Sequence, residues 1–114
     1  MKRLRALNET ELGPILDFIH DQRYDIDRLS LDRASGELRI PIYLGSRQCE
    51  GTLFIRGASS YELKDEAQIG EGDINTIRKK GPRIEINGAF PVKIFIETDR
   101  FDIELTLPDD APVA

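Results

Sequence analysis

The sequence predicts an α+β domain, a mainly antiparallel sheet of about six or seven strands with one N-terminal helix packed on it. Three observations carry that expectation. From Arg83 to Leu107 apolar and polar residues alternate with a period of two, which places every second side chain on one face of a pleated strand. Leu38, Ile40, Ile42 and Leu44 repeat the alternation. Leu12, Ile15, Leu16 and Ile19 recur instead at helical spacing and make a single apolar stripe, with Phe18 beside it.

Taken in order, Lys2 to Leu7 fits a short edge strand with Leu4 among basic residues. Asn8 followed by Glu11 resembles a helix start, although Gly13-Pro14 disturbs it, because a proline past the first turn removes a hydrogen bond. The helix therefore begins at Pro14 or bends there, and ends near Gln22. Its stripe is expected to lie on the sheet as a lid. Ile26, Leu29 and Leu31 shift parity once, which predicts a bulge or an irregular entry. After the turn at Ala34-Ser35-Gly36 comes the strand through Leu44, forming a hairpin with the segment before it. Pro41 belongs at an edge or on an unpaired side of that strand.

Gly45 to Gln48 turns the chain into a strand with Gly51, Leu53 and Ile55 on one face. Tyr61 and Leu63 continue it briefly, and Asp65 to Gly72 is irregular. Ile74 and Ile77 behind Asp73 suit one helical turn capped by Asp73, stopped by Lys79-Lys80-Gly81-Pro82. Arg83 to Leu107 then predicts three antiparallel strands joined by short turns, around Ile84 and Ile86, around Val92, Ile94 and Ile96, and from Phe101 to Leu107. Their registers are pinned by burial, since a one-residue slip would turn the isoleucines to solvent. Beyond Pro108 the tail is expected to fray.

At 114 residues the chain suits a single domain, 1–114, large enough for a core without staples. It has no repeat and no linker-like stretch. Hydrophobic content of 39% and charged content of 32% describe a soluble globule, with no apolar run of membrane-spanning length. A basic start without an apolar run after it gives no secretory signal, so the cytoplasm is the expected compartment. Cys49 is the only cysteine. It excludes an internal disulfide and sites built from several thiolates. A net charge of −5 argues against nonspecific nucleic-acid binding. Charge is nonetheless uneven, with Arg78, Lys79, Lys80 and Arg83 clustered while Glu97 to Ala114 holds six acids against Arg100.

Two groups of residues are candidate sites. His20, the only histidine, stands with Asp17 and Asp21 at the end of the helix, a set able to bind a ligand or metal, or to serve only as a solvated helix end. Tyr43, Phe54 and Phe95 occupy the parity opposite the aliphatic residues of their strands. They are expected either to lie under the helix or to offer an aromatic patch to a protein partner or a second copy of the chain. No nucleophile motif accompanies Cys49, and the acids flanking Gly70 and Gly72 would repel a phosphate. No cofactor and no resident metal are expected.

The segment His20-Asp21 and the turn and strand Ser35-Gly36-Glu37-Leu38-Arg39-Ile40, covering the first third of the chain, resemble small uncharacterised bacterial α+β domains, some of them similar to toxin-immunity proteins. That resemblance implies a binding protein without catalytic residues. The expected function is a small non-enzymatic protein-interaction module, with a ligand-binding or metal-dependent protein using the His20 region as the alternative.

Overall fold

The computed structural model describes all residues, 1–114. Eleven strands and one short helix follow the chain in the order β1 (Lys2–Ala6), α1 (Gly13–Ile19), β2 (Arg23–Asp25), β3 (Ser30–Asp32), β4 (Glu37–Tyr43), β5 (Glu50–Arg56), β6 (Ala58–Lys64), β7 (Glu71–Asp73), β8 (Thr76–Lys80), β9 (Arg83–Asn87), β10 (Lys93–Thr98) and β11 (Ile103–Leu107). They form an α+β fold with two antiparallel sheets. The first sheet has seven strands in the order β1-β11-β5-β4-β2-β7, with β3 also paired to β4. The second has four, β6-β10-β9-β8.

The inward side chains of both sheets join one core. Leu38, Ile40, Ile42, Leu53, Ile55, Ile103 and Leu105 from the first meet Ile77, Ile84, Ile86, Ile94 and Ile96 from the second. All of these but Ile77 lie on the parity that the period-two pattern assigns to the buried face. The chain crosses between the sheets at four places, from β5 to β6, from β6 to β7, from β7 to β8 and from β10 to β11. Gly57 makes the first crossing with φ +76°, and a Cβ there would meet Asp99 Oδ1 at 2.3 Å. Only glycine fits that bend comfortably.

The helix is shorter than its stripe suggests. Asn8 makes no side-chain cap, and a 3-10 turn over Glu9–Glu11 precedes α1, which has Pro14 in its first turn. Glu11 instead accepts a hydrogen bond from the Leu7 amide at 2.7 Å. Leu12, Ile15 and Ile19 are buried in the aliphatic core. A second 3-10 turn at Ile26–Arg28 is the parity shift expected between Tyr24 and Leu31.

Several expectations are corrected. Ile74 and Ile77 do not form a helical turn. Asp73 ends β7, Ile74 sits in the bend, and Ile77 faces the core from β8. The Asp73 carboxylate is buried and accepts the Ala89 and Phe90 amides, both at 3.0 Å, so it caps a turn far away in sequence. Nor are the three strands after Arg83 one unit. β9 and β10 pair, whereas β11 leaves for the other sheet and lies between β1 and β5. Pro41 meets the second of its two expected placements, an unpaired side of an interior strand rather than an edge. Its free side falls in the gap between β3, which pairs with Glu37 to Arg39, and β2, which pairs at Tyr43.

Candidate functional site

Where the turn after α1 meets the β4–β5 loop, a cleft of about 300 Å³ opens, lined by Asp21, Gln22, Arg23, Tyr43, Gly45, Ser46 and Arg47. Its walls are tied together locally. Asp21 adopts φ 63°, a left-handed conformation that Asp tolerates better than most residues. The Asp21 amide donates to the Ile74 carbonyl at 2.8 Å. From Gln22, Oε1 accepts the Gly45 amide at 2.7 Å, pinning the loop to the turn.

Three arginines gather on the same surface, and each has a carboxylate beside it. Arg23 reaches Glu71 at 3.2 Å, Arg28 binds Glu50, and Arg47 reaches both Asp25 at 3.4 Å and Glu71 at 3.2 Å. Tyr43 is the hub. Its hydroxyl donates to Asp25 Oδ2 at 2.6 Å and accepts from Arg28 Nη1 at 3.3 Å. Arg47 lies over the Tyr43 ring at 4.7 Å, with Arg28 at 5.9 Å. Hydrogen bonding to Glu50 raises the Arg28 pKa, and the charge of Asp25 raises that of Arg47. These guanidiniums stay charged, each beside a carboxylate and over the Tyr43 ring.

No family model, curated protein or solved structure matches this chain. The cleft offers planar cations on an aromatic ring and no nucleophile paired with a base. Its lining is mostly polar, unlike the apolar enclosure usual for small-molecule sites.

The residues singled out in the sequence are dispersed. Asp21 and Tyr43 line the cleft, and His20 Nδ1 lies 3.2 Å from Asp21 Oδ2 with both side chains more than half exposed. Asp17 is exposed, and its carbonyl accepts the Ala114 amide. No group of three His, Cys, Asp or Glu side chains is arranged to hold a metal. Phe54 and Phe95 do not join Tyr43, for Phe95 belongs to the second sheet. Nor does α1 cover the rings, because its stripe enters the aliphatic core. Each ring is flanked by cations instead, Phe54 by Arg39 and Arg56, and Phe95 by Lys64 and Arg83.

Arg23, Arg28 and Arg47 went unnoticed in the sequence. Nothing in their local pattern separates them from other exposed arginines. Only the pairing of β2 with β4 and β7 brings them to one surface, where Arg28 and Arg47 lie over the Tyr43 ring and Arg23, opposite Tyr43 in register, lies over the Phe90 ring at 5.0 Å.

Proposed function

We propose that this protein is a non-catalytic protein-binding module that receives its partner at the Arg23–Tyr43–Arg47 cleft. The observation that carries this reading is the Arg47 guanidinium, stacked over Tyr43 while Asp25 and Glu71 hold its nitrogens. Arg and Tyr dominate the energetics of protein interfaces, and side chains fixed before binding lose less entropy when the partner arrives. Because the three arginines are matched by Asp25, Glu50 and Glu71, long-range attraction is weak and selectivity comes from shape and stacking. The binding role implied by the resemblance to immunity-like domains agrees with this reading. The half-buried Cys49, without a partner thiol, suits a reducing compartment, and we place the module in the cytoplasm.

The test is capture from native lysate with four folded baits, namely the wild type, Tyr43→Ala, Arg47→Glu and Phe95→Ala, compared by quantitative mass spectrometry. A partner retained by the wild type and Phe95→Ala but lost from the other two is the expected result. Capture that ignores Tyr43 and Arg47, or none at all, overturns the cleft.

A further inference from the structure

Two open sheets have four edges, and an edge strand exposes unpaired main-chain groups that invite another strand. Three of these edges are closed. β1 carries Lys2, Arg3 and Arg5, so two copies meeting there would oppose like charges. β7 is only three residues long, as is β3, which branches beside β2 and pairs only with β4. β8 is crossed by the Glu9 carboxylate, which accepts the Lys79 amide.

The fourth edge, β6, pairs only with β10. The Thr98 amide bonds to Pro82 on the β9 side, so by antiparallel alternation Lys93, Phe95 and Glu97 direct their amides and carbonyls to β6. Their partners are Lys64, Glu62 and Ser60. Tyr61 and Leu63 are left with amides and carbonyls facing outward. Their side chains share the inward face of Ile96 and Ile94, yet Tyr61 is 37% exposed and Leu63 half-buried. The flank of the core is therefore uncovered there.

We infer that β6 is a homodimer edge, pairing antiparallel with β6 of a second copy about a two-fold axis at Leu63. Register follows from charge. An axis at Glu62 would set that acid opposite itself, and an axis at Tyr61 would need Ser59. That end is closed, because the register with β10 shifts between Ser60 and Ala58 and the Ala58 amide is taken by the Gly36 carbonyl at 2.9 Å. An axis at Leu63 places Glu62 of each copy opposite Lys64 of the other, as a closely spaced pair on the outer face, and sets the two leucines side by side. Tyr61 then faces Asp65, whose carbonyl already accepts the Gln68 amide at 3.0 Å, so the main-chain bonding is centred on the Leu63 pair. The isologous contact closes on itself and leaves no further edge of this kind open. It lies on the second sheet, apart from the cleft of the first, so either reading can fail without the other.

Sedimentation velocity up to millimolar concentration tests it. The wild type dimerises, Lys64→Glu weakens the dimer roughly tenfold by opposing like charges at two places, and Glu62→Lys with Lys64→Glu together restore it. In a Cys49→Ser background, Leu63→Cys oxidises to a covalent dimer, whereas Tyr61→Cys, displaced from the axis, does so far more slowly. A wild-type monomer throughout, a dimer indifferent to Lys64→Glu, a double exchange that fails to restore it, or equal oxidation of the two cysteines overturns the inference.

Discussion

Asp102 stands among the polar alternates of the last strand, where the pattern alone suggests a solvated side chain. It is 4% exposed. Arg5 binds it through two hydrogen bonds, at 3.0 and 2.9 Å, and Arg100 lies within 3.8 Å. Hydrogen bonding to Arg5 outweighs burial and lowers the Asp102 pKa below the usual carboxylate range. Since the folded carboxyl titrates below the unfolded one, its stabilisation is complete above the unfolded pKa of about 4 and is lost as pH falls through the folded value. Urea midpoints measured from about pH 7 down to pH 3 should fall at the acid end in the wild type and fall less steeply in Asp102→Asn. At neutral pH the same variant should be less stable by roughly 1–3 kcal/mol, because the ion pair is gone and Arg5 keeps a weaker partner.

Among the elements, β10 shows how far local pattern reaches. Ile94 is fully buried and Lys93 exposed, as alternation requires. Ile94→Asp should unfold or aggregate the chain, a loss of more than about 4 kcal/mol, while Lys93→Asp should stay within about 0.5 kcal/mol. Thermal unfolding followed by circular dichroism separates the two, and equal tolerance would mean the parity is inverted. The Asp73 to Ile77 segment shows the opposite. Two isoleucines three apart behind an aspartate satisfy a helix start, and they satisfy a strand, bend and strand equally well. The choice went to strands because β7 completes one sheet and β8 the other, contacts that no local window contains.

For the whole molecule, both sheets draw on one hydrophobic cluster, which implies that they unfold together. Chemical denaturation monitored by far-ultraviolet circular dichroism and by tyrosine fluorescence should give coincident single transitions. Separate midpoints would divide the chain into two units. No helix is long and apolar enough to cross a membrane. The acidic stretch from Glu97 onward is partly consumed within the fold. Glu104 pairs with Arg56 at 3.0 Å, and Glu97 with Arg83 at 2.9 Å.

By itself the sequence determined the longer alternating strands, their buried faces and the helical stripe, though not β7 and β8, because a period of two or of 3.6 is written in neighbouring residues. Leu38, Ile55, Ile86 and Ile94 each lie on the face their parity assigns. Tertiary structure alone decided that β11 leaves β10 to lie between β1 and β5, that Phe54 and Phe95 stand on different sheets, and that Arg28 and Arg47 meet over Tyr43 with Arg23 beside them. The physical reason is that alternation specifies which face of a strand is buried but not which strand lies beside it. That choice depends on contacts between distant residues, such as Asp102 with Arg5 and Asp73 with the amides of Ala89 and Phe90.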